Sequence, residues 1–121
     1  MYEVVVKTDF AAAHRLLGYE GNCERLHGHN WKIEVRVKSD RLNKLGMVAD
    51  FREIKQVVKD VVGELDHHYL NEMPPFDKLN PTTENIAKFL FDELARMLPA
   101  EVRPAAITAW ESDGCGVSYI G

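Results

Sequence analysis

Residues 22–37 read NCERLHGHNWKIEVRV. From Trp31 the pattern alternates without a break: Trp31, Ile33, Val35 and Val37 fall on one side, and Lys32, Glu34, Arg36 and the following Lys38 on the other. A period of two sustained over eight residues predicts an antiparallel strand with one apolar face and one solvated or interface face. The first half of the stretch crowds one of the chain's two cysteines and two of its five histidines into seven positions. Side chains alternate across a strand, so His27 and His29 share a face, and Gly28 between them removes bulk. The strand therefore presents two imidazoles side by side at its mouth.

Upstream, YEVVVKTDFAAAH (2–14) reads as a first strand, with Val4 and Val6 on one face and Val5 and Lys7 on the other. Downstream, DFREIKQVVKDVVGEL (50–65) changes period. Asp50 followed three residues later by Glu53 resembles a capping box, and Ile54, Val57, Val58, Val61, Val62 and Leu65 form one helical stripe. Valine is a poor helix former, so the periodicity and the cap carry this reading. A second helix opens after Pro81 in PTTENIAKFLFDELARML, with Thr82 or Thr83 as cap, a stripe of Ile86, Leu90, Leu94 and Leu98, and Pro99 as its stop. The tail, AAITAWESDGCGVSYIG, reads as a hairpin around a turn at Asp113–Gly116. The order β-β-α-α-β-β predicts a single α+β domain over residues 1–121: a four-stranded antiparallel sheet with both helices on one face. Two helices cannot cover the edges of such a sheet, so its edges are expected to pair between subunits.

At 121 residues the chain is long enough to bury about two thirds of its unfolded surface. A formal charge of −4 argues against a general nucleic-acid binder, which needs a basic face. No apolar run approaches the roughly 18–20 residues of a membrane span. The first fifteen residues contain Glu3, Lys7 and Asp9 and show no signal peptide. Two cysteines without an export signal point to a reducing, cytoplasmic setting, which disfavours a Cys23–Cys115 bridge.

The chemistry-bearing residues gather around the opening stretch. If the first two strands are antiparallel neighbours, His14 at the end of the first approaches the His27/His29 face. Three neutral imidazoles with a fourth position open describe a catalytic zinc site; taken singly, each would pass for an ordinary surface or core histidine. Cys23 has three readings: a fourth ligand closing a structural site, a buried apolar residue, or a reactive thiol whose pKa nearby cations lower. In LDHHYLN (65–71), Asp66 beside His67 suits a proton shuttle near a helix C-terminus, or simply a solvated helix end. Glu111, in AWES, offers a carboxylate able to accept two parallel N–H bonds from a guanidine-like edge such as a 2-aminopyrimidinone, or is an exposed strand-end acid. Glu84 suits the first turn of a helix. Gly21, His27, His29 and Glu34 also match the spacing of a cupin motif, although the Pro-x-Gly expected before a second histidine is missing.

Six stretches in order, FAAAHRL, CERLHGHN, MVADF, LDHHYLN, PTTEN and AWES, resemble the 6-pyruvoyl-tetrahydropterin synthases and the bacterial 6-carboxytetrahydropterin synthases. The resemblance implies the tunnelling fold, whose subunits join their sheets into a barrel, with trimers stacked into hexamers. It implies zinc held by His14, His27 and His29, Cys23 as general base, and Asp66–His67 as a second proton-transfer pair. It also implies Glu111 as pterin anchor and Thr82, Thr83 and Glu84 as lining of the pterin pocket. His68 matches a variable position.

Three residues between the cysteine and His-Gly-His resemble the bacterial enzymes of queuosine synthesis rather than the animal pyruvoyl enzymes. The implied reaction converts 7,8-dihydroneopterin triphosphate to 6-carboxy-5,6,7,8-tetrahydropterin, acetaldehyde and triphosphate, with Arg15, Arg25 and Lys32 the nearest cations for the triphosphate. Triphosphate elimination to a pyruvoyl product is the alternative within the family. A zinc-stabilised interaction module with Cys23 as fourth ligand is the non-enzymatic one.

Overall fold

The computed structural model describes residues 1–18 and 25–121; Cys23 lies outside them. Two thirteen-residue strands, β1 (Tyr2–His14) and β2 (His27–Ser39), pair antiparallel along their whole length, from Tyr2 opposite Ser39 to His14 opposite His27. Helix α1 (Phe51–Gly63), a short strand β3 (His68–Tyr69), helix α2 (Thr83–Met97), β4 (Arg103–Ser112) and β5 (Cys115–Ile120) follow. The sheet order is β3-β1-β2-β4-β5, antiparallel except for β3, which runs parallel to β1 at Ala12 and Ala13. The sheet thus has one strand more than the four expected. The addition is part of LDHHYLN, too short for its period to be visible in the sequence.

The alternation of β2 is realised in full: Trp31, Ile33, Val35 and Val37 are buried, and their neighbours face outward. Burying each such side chain contributes about 1.5–3 kcal/mol. β1 supplies Val6, Phe10 and Ala12 to the same core, and β4 supplies Ala105, Ile107 and Ala109. Both helices cover this face, α1 over β1 and α2 over β4 and β5, and meet each other between. Ile54, Val58, Val61 and Val62 of α1 are buried, so tertiary packing overrides the low helix propensity of valine. Asp50 caps α1, but its carboxylate accepts from the Arg52 N–H at 2.8 Å rather than from Glu53. Thr82 caps α2, its hydroxyl accepting from the Asn85 N–H at 3.1 Å.

The terminal hairpin turns more tightly than expected, with only Asp113 and Gly114 between paired Ser112 and Cys115. Gly116 belongs to β5 and lies under the Trp110 ring; a Cβ there would stand 2.7 Å from two ring carbons and 3.0 Å from the Ala109 carbonyl oxygen. Gly116→Ala must displace Trp110 and strain the hairpin. We expect a loss of about 1–3 kcal/mol, read as a lower melting temperature; an unchanged one would show that Trp110 swings away freely.

Candidate metal centre

The buried stripes of three strands end in polar groups at one end of the sheet. His14 closes the stripe of β1, His27 and His29 open that of β2, and Glu111 continues Ala105, Ile107 and Ala109 on β4. Because β1 and β2 pair directly at His14 and His27, the three imidazoles converge, with ring centroids 4.6–5.2 Å apart. One potential ligand atom from each of the four residues lies within 4.8 Å of the others. Trp31 forms the floor, its ring edge-on to His14 at 5.0 Å and to His29 at 5.3 Å.

Backbone carbonyls fix the tautomers. His14 Nδ1 lies 2.8 Å from the Pro81 carbonyl oxygen and His27 Nδ1 lies 2.6 Å from that of Arg25. A carbonyl only accepts, so each Nδ1 is the N–H donor and each neutral ring turns an Nε2 lone pair inward. His29 Nε2 is buried without a hydrogen-bond partner among the described residues. Glu111 Oε1 faces these nitrogens, 2.9 Å from His29, 3.2 Å from His14 and 4.0 Å from His27.

A carboxylate oxygen set against imidazole lone pairs is repulsive unless a proton or a metal cation lies among them. Burial favours the neutral rings, pulling His14 and His29 below the ordinary histidine value against the opposing pull of the Pro81 carbonyl on His14 and of Glu111 on His29. Neutral, inward-facing nitrogens are what a divalent metal needs. Donors about 2.0–2.1 Å from a tetrahedral ion stand roughly 3.3 Å apart, within the 2.9–4.0 Å range from Glu111 Oε1 to the three nitrogens. The four residues fit a divalent metal ion.

The same shifts set a pH dependence for metal-stripped protein. Unfolded imidazoles hold their protons up to about pH 6.5, whereas folded His14 and His29 release them at lower pH. Between those values the unfolded chain binds more protons, so stability is full above pH 6.5 and falls as pH drops through the folded values. Melting curves of stripped protein should show this decline below pH 6.5, and a flat profile would contradict it.

The other expected site residues fall nearby in varied settings. Asp66 and His67 form a pair, Oδ1 to Nδ1 at 3.0 Å. Asp66 Oδ1 also accepts from the Ala11 N–H at 2.9 Å, and His67 N–H donates to the Ala11 carbonyl oxygen at 2.6 Å. The Ala11 N–H, then His67, hold the Asp66 carboxyl below its usual range. His67 stands in the left-handed region at φ 60°, an uncommon setting for a residue with a Cβ. Its exposed ring and His29 border one open groove together with Ala11, Ala13 and Gly28.

Thr82 is committed to capping α2, Thr83 is buried and Glu84 is exposed in the first helical turn. This segment reaches the histidines through the Pro81 carbonyl rather than through its side chains. Lys32 is exposed and paired with Asp113 at 3.2 Å. Glu34 lies on the outer face, bonded by Arg36, so its register turns it away from His27 and His29 and removes the cupin arrangement. Glu111, expected to accept the N–H edge of a pterin, stands among the imidazoles. Its period-two spacing from Ala109 was the available signal.

A family model described as 6-pyruvoyl tetrahydropterin synthase matches residues 3–121. The chain belongs to the 6-pyruvoyl tetrahydropterin synthase family. It is similar to a dihydroneopterin monophosphate aldolase of Pyrococcus furiosus, 39% identical over 94% of this chain and 93% of the relative. A 6-carboxy-5,6,7,8-tetrahydropterin synthase of Synechocystis sp. is 40% identical over 78% of this chain and 75% of its own. Among solved structures, 6-pyruvoyl tetrahydropterin synthase of Caenorhabditis elegans superposes with a TM-score of 0.85 at 26% identity, covering 100% of this chain and 97% of that one. Enzymes of this family act on pterins, and the α+β architecture is the one its solved members share. No described helix is long and apolar enough to cross a membrane.

Proposed function

We propose that the chain is a zinc-dependent 6-carboxy-5,6,7,8-tetrahydropterin synthase of the queuosine (7-deazaguanine) route. It would convert 7,8-dihydroneopterin triphosphate to 6-carboxytetrahydropterin, acetaldehyde and triphosphate. The observation that carries this reading is the convergence of three imidazole nitrogens, two with fixed tautomers, at the mouth of the sheet in a chain 40% identical to a synthase of that name. His14, His27 and His29 would hold the ion, and the bound ion would polarise an oxygen of the substrate side chain. Cys23, with the His pair four residues on, takes the proton of the activated side chain as thiolate. Asp66 orients His67 through Nδ1, leaving Nε2 to exchange a proton with the substrate from the groove. Glu111 accepts the amino edge of the pterin, with Thr82, Thr83 and Glu84 beside it. The protein would work in the cytoplasm as a hexamer, a dimer of trimers; supporting the assembly are the exposed strands β3 and β5, which end the sheet and are free to pair into a barrel.

A second reading, an aldolase acting on a dihydroneopterin monophosphate, is favoured by the Pyrococcus furiosus relative, which matches nearly the whole chain. A pyruvoyl product from the triphosphate is the third outcome. Incubating pure, zinc-loaded protein with dihydroneopterin triphosphate and monophosphate in parallel, and identifying products by mass, separates the three. Acetaldehyde with 6-carboxytetrahydropterin is the expected result; turnover of the monophosphate alone would overturn it in favour of the aldolase.

A further inference from the structure

Glu111 is the member of the metal cluster that stands at a break in the strand ladder. Backbone carbonyls of Pro81 and Arg25 hold two of the imidazoles, and His14 is only 1% exposed. The Glu111 side chain is 29% exposed, close to His27 at 26% and His29 at 24%, and among the described residues its carboxylate approaches only the imidazole nitrogens. Its backbone sits at an irregularity between Trp110 and Ser112, where the β4–β5 ladder gives it no partner on β5. Such a bulge re-aims a side chain, and Glu111 holds no ladder position on β5 that a change of its aim would disturb. Yet its Oε1 lies within 3.2 Å of two inward nitrogens, at ligand spacing.

We propose that Glu111 is a detachable fourth metal ligand, which closes the shell in the absence of substrate and leaves it to accept the N–H edge of an arriving pterin ring. This rests on the reading of His14, His27 and His29 as the metal triad. A carboxylate engaged with the metal through Oε1 cannot present both oxygens to two parallel N–H groups. Metal capping and pterin anchoring therefore exclude each other. Arrival of the ring opens one coordination position, and the position opens only when a ring is there to use it. In the empty enzyme the shell stays closed to stray anions. By linkage, whatever occupies the freed position must in turn tighten the binding of the ring by the same factor.

The test uses metal-stripped protein reloaded with Co2+, whose visible absorption reports the shell, and azide as probe of an open position. Wild type should bind azide weakly alone and about 5–150-fold more tightly with saturating unsubstituted pterin, the usual span of such couplings. Glu111→Gln should bind azide tightly from the start, gain nothing from pterin, and hold Co2+ at least as loosely as loss of an outer-shell partner would make it, about 10–100-fold. Glu111→Asp, which withdraws the carboxylate by one carbon, should behave like Gln and serves if the amide variant folds poorly. Azide binding in wild type that pterin leaves unchanged or weakens would overturn the proposal, as would a Gln variant with the wild-type cobalt spectrum and affinity. Should His27→Ala leave cobalt binding untouched, the triad itself fails. That result is distinct from a normal triad with a silent Glu111.

Discussion

A double variant His27→Ala, His29→Ala should lose its zinc, falling from one ion per chain to near none, and with it all measurable turnover. Both side chains are about one quarter exposed, so their removal opens no deep cavity, and stripped variant and stripped wild type should melt within a few degrees of each other. Zinc-loaded wild type should stand well above both, by about 4 kcal/mol where free zinc is a thousandfold over its Kd. His14 is a poorer choice for this experiment. It is buried and its N–H occupies the Pro81 carbonyl, so truncation would mix metal loss with an orphaned acceptor at the start of α2. Stoichiometric zinc in the double variant would sink the ligand assignment.

Cys23→Ala should separate chemistry from architecture. If the thiolate is the base, the variant keeps its zinc and its melting temperature, because three imidazoles still hold the ion. Turnover should then fall by about 10²–10⁴, the usual contribution of a positioned base. A structural ligand would behave otherwise: zinc affinity and stability would fall together, since such a site contributes folding energy outright. Zinc content, melting temperature and product formation measured on this one protein decide between them, and unchanged turnover would exclude the base.

The strands and helices were legible wherever a single period ran long enough. Trp31 to Val37 announced both the strand and its buried side, and the placement of His27 and His29 followed from the same alternation. The approach of His14 needed only the pairing of consecutive strands. What the sequence did not carry was set by contacts between distant segments. The Pro81 and Arg25 carbonyls that fix two rings are main-chain groups with no residue signature. β3 is two residues long, held by β1 rather than by its own composition. Glu111 joined the histidines through the register of β4 on β2, which puts Trp110 opposite Lys32 and which no local pattern specifies.

The backbone of His67 sets up a conflict between durability and output. At φ 60° the position suits Gly or Asn better than any branched or bulky side chain. The main-chain bond from residue 67 to Ala11 does not depend on which side chain stands there. A library randomised at this one position and sorted for resistance to heat should therefore enrich Gly and Asn over His, by about 1 kcal/mol for relief of the left-handed cost. The same library sorted for turnover should return His alone. If a single residue wins both sorts, the conformation at 67 carries no cost. If two different residues win, this fold has kept an uncomfortable residue at 67 for the sake of turnover, and repeated selection for hardiness alone would quietly disarm it.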